Sequence, residues 1–126
     1  MKLMEETSSR IRAGALVVAT LHEPREKYWG ILDSVTGAGV YLRGLDLQTF
    51  EDVMRAVRSG EAVFGIGEVF FPLWRVERLA LDTPSGTIPS LAEQFANRTG
   101  YAAEEIFHFP ATLTGEDEIT DDAPPT

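Results

Sequence analysis

The stretch that decides the fold is YWGILDSVTGAGVYLRGL, residues 28–45. Two β-prone runs flank a short loop that contains Gly37 and Gly39, and glycine accepts the positive φ that tight hairpin turns demand. Side chains alternate along a strand, so Trp29 and Ile31 fall on the same side of the first run. The pattern predicts a β-hairpin with strands at residues 28–35 and 40–45.

Three more strands are predicted outside this hairpin. Residues 15–22 form the first, which ends at the charged segment Glu23-Pro24-Arg25-Glu26 because proline cannot donate to a ladder. Residues 62–71 (AVFGIGEVFF) are β-prone, with two glycines that indicate bends. Pro72 interrupts the chain, and residues 73–81 predict the last strand.

Helical periodicity replaces strand alternation between the hairpin and the fourth strand. Apolar residues fall at i, i+3, i+4 and i+7, at Phe50, Val53, Met54 and Val57. With Thr49 as the N-cap and Gly60 after the last turn, the pattern predicts a helix over residues 50–59.

Two further helices are predicted near the C-terminus. Ser90 and Glu93 form a capping box, which starts a helix that turns Leu91, Ala92 and Phe95 toward the core and ends at Gly100. A short helix follows at residues 102–107, and Pro110 stops it.

The order of these elements predicts a mainly β fold with helices (α+β). Five short, bent strands favour a small closed or partly open barrel, with one helix inserted between strands three and four. The expected organisation is one domain, residues 1–109, made of a barrel at 13–82 and a helical extension at 89–109. Residues 110–126 are expected to be a flexible acidic tail.

The composition and charge of the chain limit the kinds of site and the cellular compartment that can be expected. The 126 residues include no cysteine, which excludes disulfides and thiolate metal sites. Residues 115–126 carry five acidic side chains and no base, so −9 for the chain leaves −4 for residues 1–114. The polar start and the short apolar runs fit neither a secretory signal nor a membrane helix, and a cytoplasmic protein is expected.

The predicted hairpin resembles the first motif of the Sm-like family of small, SH3-like β-barrels. Residues 29–35 and 40–42 carry the resemblance, with Gly30 at the position where the family's second strand curls sharply. Residues 73–79 are similar to the second motif in the spacing of Val76 and Leu79. The resemblance covers residues 13–82 and implies a five-stranded barrel that assembles into rings through its fourth and fifth strands.

The residues with which the family binds RNA are not matched. Thr36 stands near the family's aspartate, Ala38-Gly39 replaces its Met-Asn pair, and Pro72-Leu73 replaces its Arg-Gly pair. The side chains that would stack on and hydrogen-bond an unpaired base are therefore missing.

No catalytic, cofactor or metal site is predicted, and enzyme activity is not expected. His22 and His108 have no companions at the spacing of a triad or a zinc site, and the G-x-G at Gly65 and Gly67 lacks a surrounding βαβ unit.

The first hypothesis for function is therefore a non-catalytic, homo-oligomeric assembly or protein-interaction module. Alternation along the strands leaves some aromatic surface outside the core, and aromatic and arginine residues anchor interfaces. The predicted interface residues are Phe70, Phe71, Trp74, Arg75 and Arg78.

Two alternatives stay open. A nucleic-acid surface would have to use the basic residues Arg43, Arg55, Arg58, Arg75 and Arg78. A small-ligand barrel or small enzyme would need a pocket lined by Asp33, Arg43, Asp46 or Glu68.

Overall fold

The structure, a computed structural model, describes residues 11–63 and 65–108. Strands β1 to β5 are Leu16–Leu21, Glu26–Val35, Gly39–Asp46, Gly67–Pro72 and Val76–Leu81. Helices α1 to α3 are Phe50–Ser59, Leu91–Thr99 and Ala103–His108. The predicted lead-in before residue 11, the stop at Pro110 and the acidic tail lie outside the described residues. Among the residues described, no helix is long and apolar enough to cross a membrane.

The five strands form one antiparallel sheet in the order β4-β3-β2-β1-β5. This confirms the α+β prediction and the helix inserted between strands three and four. The sheet does not close into a barrel, so the closed alternative was wrong. Each of β4 and β5 pairs on one side only within the described residues, and they form the two edges of the sheet.

The predicted hairpin is confirmed, but its turn works differently from the expectation. Neither Gly37 nor Gly39 has a positive φ. The Thr36 amide donates to the Gly39 carbonyl at 2.8 Å, and the Thr36 hydroxyl accepts hydrogen bonds from the amides of Ala38 (3.1 Å) and Gly39 (3.3 Å), so backbone and side chain close the turn together. Gly39 is required for another reason: a Cβ there would collide with the carbonyl of Phe71 on β4.

Strands β2 and β3 approach most closely at a pair of facing glycines. Gly30 lies opposite Gly44 in the register. A Cβ on Gly30 would collide with the Arg43 carbonyl, and one on Gly44 with the Trp29 carbonyl. Only glycine fits both positions, and this is the close backbone approach for which strands use glycine.

Each face of the sheet packs against its own apolar cluster, so the strands are buried on both faces. The inner cluster contains Val17, Ala19, Leu21, Leu32, Val40, Leu42 and Phe71. The outer cluster packs Trp29, Ile31 and Leu45 of the sheet against the three helices, with Phe50, Phe95 and Phe107 among its members. The helices therefore cover one face of the sheet, while the bent strands enclose the other.

Trp29 and Asp82 connect the sheet to helix α2. The Trp29 indole is fully buried, and its Nε1 donates to Oδ2 of Asp82 at 3.0 Å. The same carboxylate accepts the backbone amides of Leu91 (2.8 Å) and Ala92 (2.9 Å) in the first turn of α2. The predicted Ser90–Glu93 capping box is also present, so both caps fix this helix end.

Several element boundaries differ from the prediction. Helix α1 spans Phe50–Ser59 as expected and ends at Gly60 in the left-handed conformation, but the Thr49 side chain makes no cap. The Asp46 carboxylate instead accepts the Gln48 amide at 2.9 Å and starts a 3-10 turn before the helix. Strand β4 begins only at Gly67, and Leu73–Arg75 forms a 3-10 turn instead of the start of β5.

We expect Gly30→Ala to lower the free energy of unfolding by about 2 kcal/mol, because the new methyl group meets backbone that cannot move aside. Gly37→Ala is the matched control, since no atom lies within 4 Å of a Cβ there. Urea unfolding measures both, and an equal loss in the two variants would contradict the role of the close approach.

Asp82→Ala is expected to cost about 3 kcal/mol, because it removes one cap of α2 and leaves the buried Trp29 N–H without its acceptor. Asp33→Ala, on an exposed residue of the same charge, should change stability by less than about 0.5 kcal/mol. A loss for Asp82→Ala no greater than that of Asp33→Ala in thermal and urea unfolding would contradict this account.

Candidate interaction surface

Exposed aromatic side chains lie beside the β4 edge. Tyr41 of β3 faces Phe70 of β4 in the register, and their rings are 4.7 Å apart between centroids. Phe70 is 41% exposed and Tyr41 36%. Both side chains point to the outer face of the sheet, beyond the area that the helices cover, whereas their neighbours Val40 and Phe71 point into the inner cluster. We call Tyr41 and Phe70 the edge pair.

The 3-10 turn that follows β4 continues this exposed apolar segment. Leu73 is 49% exposed and Trp74 62%. The Leu73 amide donates to the Ala38 carbonyl at 2.9 Å, which ties the turn to the tip of the β2–β3 hairpin. Trp74 lies edge-on to His22, with 6.4 Å between ring centroids. The exposure of these two side chains is therefore built on a turn with fixed backbone contacts.

Arg75 holds the 3-10 turn against the β1–β2 connection. Its Nε donates to the His22 carbonyl at 3.1 Å, and its Nη2 donates to the Pro24 carbonyl at 2.9 Å and to Oε1 of Glu26 at 3.1 Å. The side chain is only 16% exposed. Because the guanidinium uses its donors within the chain, Arg75 positions Trp74 and is not itself an open contact residue.

The five residues predicted as an interface fall into four environments. Phe70 and Trp74 are exposed. Phe71 is 7% exposed and packs edge-on against Tyr28, with 4.9 Å between ring centroids. The Arg75 guanidinium donates to the carbonyls of His22 and Pro24 and to Glu26. Arg78 is exposed, but on β5 at the opposite edge of the sheet. Tyr41 and Leu73 are also exposed, although neither was among the five predicted interface residues. The position of Tyr41 opposite Phe70 in the strand register is the signal that identifies it.

Of the residues named for the alternative functions, the structure brings Arg43 and Glu68 together as a surface ion pair, and the others lie apart from them. Arg43 pairs with Glu68 (3.6 Å) and Arg55 with Asp52 (3.0 Å), both on the surface. Asp33 is exposed beside a bulge in β2.

Asp46 lines a cavity of about 330 Å³ with Glu26, Lys27 and Gln48, but one of its oxygens is already used by the Gln48 amide. Nearby, burial, followed by the charges of Asp46 and Glu26, raises the pKa of Tyr28. Tyr28 is therefore a neutral phenol at physiological pH and not a nucleophile.

The described residues, 11–63 and 65–108, contain no group of three histidine, aspartate or glutamate side chains placed to hold a metal ion. His22 packs beside Trp74, and the His108 side chain lies outside the description. Comparison of the chain with models of known protein families, with curated proteins and with solved structures found no match.

We expect Arg75→Lys to lower the free energy of unfolding by about 2 kcal/mol, because a lysine ammonium cannot reach all three acceptors of the planar guanidinium. Arg25→Lys is the matched control, since Arg25 approaches Glu77 only at 4.0 Å and its side chain is 72% exposed. The control should stay within about 0.5 kcal/mol of the parent in urea unfolding. Equal losses of stability in the two variants would contradict the role of Arg75 in holding the 3-10 turn against the β1–β2 connection.

Proposed function

We propose that this protein is a non-catalytic, Sm-like small-barrel module that assembles with further copies of itself through its two sheet edges. The observation that carries the proposal is that β4 and β5, the two edge strands of the sheet, each have one unpaired side within residues 11–63 and 65–108. An open edge exposes unpaired backbone donors and acceptors, and a strand from another molecule satisfies them.

In the proposed assembly, β4 of one copy pairs with β5 of the next. Pairing β4 of one copy with β5 of the next is a head-to-tail contact, which produces a closed ring when the rotation between copies closes. Val69 on β4 and Leu79 on β5 both pack against the inner cluster of their own chain. Antiparallel pairing of the two strands would continue that apolar layer from one copy to the next.

The edge pair adds exposed aromatic surface to the β4 side of the proposed contact. Phe70 on β4 and Tyr41 on the neighbouring β3 present their rings on the outer face of the sheet, and aromatic residues are enriched in the centres of interfaces. Pro72 ends β4 and limits the pairing segment to Gly67–Phe71, because proline offers no amide hydrogen. The segment is long enough for a short intermolecular ladder.

Binding of nucleic acid receives less support from the same surface. Of the five arginines available for it, Arg43, Arg55 and Arg75 already pair with carboxylates. Arg58 lies at the end of α1 and Arg78 on β5, so the two remaining cations belong to different elements. We therefore propose no nucleic-acid function.

Light scattering coupled to size-exclusion chromatography tests the assembly. We expect a discrete multimer for the parent protein, and a dissociation constant raised roughly thirtyfold by Phe70→Glu, since hot-spot residues contribute about 2 kcal/mol or more. Phe70 is 41% exposed, so the variant should fold normally in a circular dichroism control.

Tyr101→Glu is the matched control, because Tyr101 is 44% exposed and lies between α2 and α3, away from both edges. Its multimer should equal that of the parent. A parent protein that is monomeric at its highest soluble concentration would make the proposal wrong, and so would equal effects of Phe70→Glu and Tyr101→Glu.

A further inference from the structure

A second cavity lies between the outer face of the sheet and the start of helix α2. Its volume is about 340 Å³, within the range of small-molecule sites. Val18, Thr20 and Ala80 form the sheet side, and apolar side chains close it laterally, namely Leu47, Ile88 and Leu91. All the lining residues belong to one chain.

Two cations stand at this cavity on either side of Thr20. In the register Thr20 faces Lys27 on β2 and Arg78 on β5, so the three side chains share the outer face. With strands about 4.8 Å apart, the Cα atoms of Lys27 and Arg78 are separated by about 10 Å. Their long side chains can therefore close on one anionic group above Thr20.

These cations differ from most other basic residues of the described chain, although Arg58 on α1, which does not line the cavity, is also without an ion pair. Five arginines form ion pairs, namely Arg25, Arg43, Arg55, Arg75 and Arg98. Lys27 and Arg78 have no ion-pair partner within residues 11–63 and 65–108. In an acidic chain, two such cations converging on one cavity are available to a ligand of opposite charge.

The one carboxylate in the lining does not cancel this charge. Asp82 already accepts hydrogen bonds from the Trp29 indole and from the amides of Leu91 and Ala92. It also sits at the positive end of the α2 dipole, which offsets part of its charge. The charge offered to a ligand is therefore positive.

An apolar side chain, Ile88, lies at the opening of the cavity, in a loop of residues 85–89 that hydrogen bonds hold in place. Ser85 and Ile88 exchange two backbone hydrogen bonds of 2.9 Å around a tight turn, in which Gly86 has a φ of +60°. Ile88 is held there with 61% of its surface exposed. The Gln94 side chain donates to the Pro89 carbonyl at 3.1 Å and connects this loop to α2. An apolar ligand group would cover Ile88 without requiring the loop to reorganise.

From these contacts we infer that the cavity binds a small amphipathic anion: a carboxylate or phosphate group held by Lys27, Arg78 and Thr20, with an apolar body between Val18, Leu91 and Ile88. The cations supply charge-assisted hydrogen bonds, and the apolar walls supply affinity that a bare anion lacks. The inference concerns binding alone and involves no chemical step.

Titration of the full chain, followed by amide chemical shifts in NMR, tests this site. Phenyl phosphate and benzoate serve as probes, with inorganic phosphate lacking the apolar body and benzyl alcohol lacking the charge. We expect saturable shifts at Thr20, Lys27 and Ile88 with phenyl phosphate, benzoate or both, which also decides between the two anionic groups. Inorganic phosphate and benzyl alcohol should each bind at least tenfold more weakly.

Arg78→Gln and Lys27→Gln should each weaken binding of the responding probe roughly tenfold, the loss expected for a hydrogen bond to a charged group. Arg58→Gln is the control, because Arg58 is exposed on α1, has no ion-pair partner in the described part of the chain and does not line the cavity. Shifts that do not saturate, inorganic phosphate binding as tightly as the probes, or equal losses in Arg58→Gln and Arg78→Gln would each overturn the inference.

Discussion

The buried indole of Trp29 is the point at which the sheet and the three described helices meet. Its ring lies 5.4 Å from Phe50 of α1, 5.8 Å from Phe95 of α2 and 4.9 Å from Phe107 of α3, measured between ring centroids. Its N–H donates to Asp82, which caps α2. Because one side chain gives the helices both an apolar contact and a polar anchor, the position of each helix depends on it.

This arrangement also determines which surfaces remain open. The helices converge on Trp29 and cover the middle of the outer face, so the edge pair of Tyr41 and Phe70 stays exposed at one side of the sheet. At the other side, α2 starts at Leu91, where Asp82 caps it, and leaves the cavity beside Arg78. The same packing thus produces the aromatic edge of the proposed assembly and the cationic cavity of the proposed ligand site.

Charge is distributed unevenly over these surfaces. Arg75 is almost buried and satisfies backbone carbonyls and Glu26, so it contributes to the fold and not to recognition. Arg78 is three residues further along the chain, but it lies on the outer face with no ion-pair partner within the described residues. Neighbouring arginines in the sequence therefore have opposite roles, and only their contacts distinguish them.

The sequence by itself determined the individual helices and the hairpin, because the residues that specify each of them lie close together in the chain. The hairpin, the α1 stripe from Phe50 to Val57 and the capping box at Ser90 each follow from periodicity or from a cap within four residues. The predicted interface was only partly recoverable: exposed Phe70 and buried Phe71 are adjacent aromatics, and alternation says that they differ without saying which one points inward.

Tertiary structure alone decided what depends on residues distant in the chain. Asp82 caps α2 while it accepts from Trp29, 53 residues away. Arg75 bridges to His22 across the same separation. Whether the sheet closes or leaves β4 and β5 open depends on strand curvature and on how much of the outer face the helices cover. Those quantities are set by long-range packing, which composition and spacing do not encode.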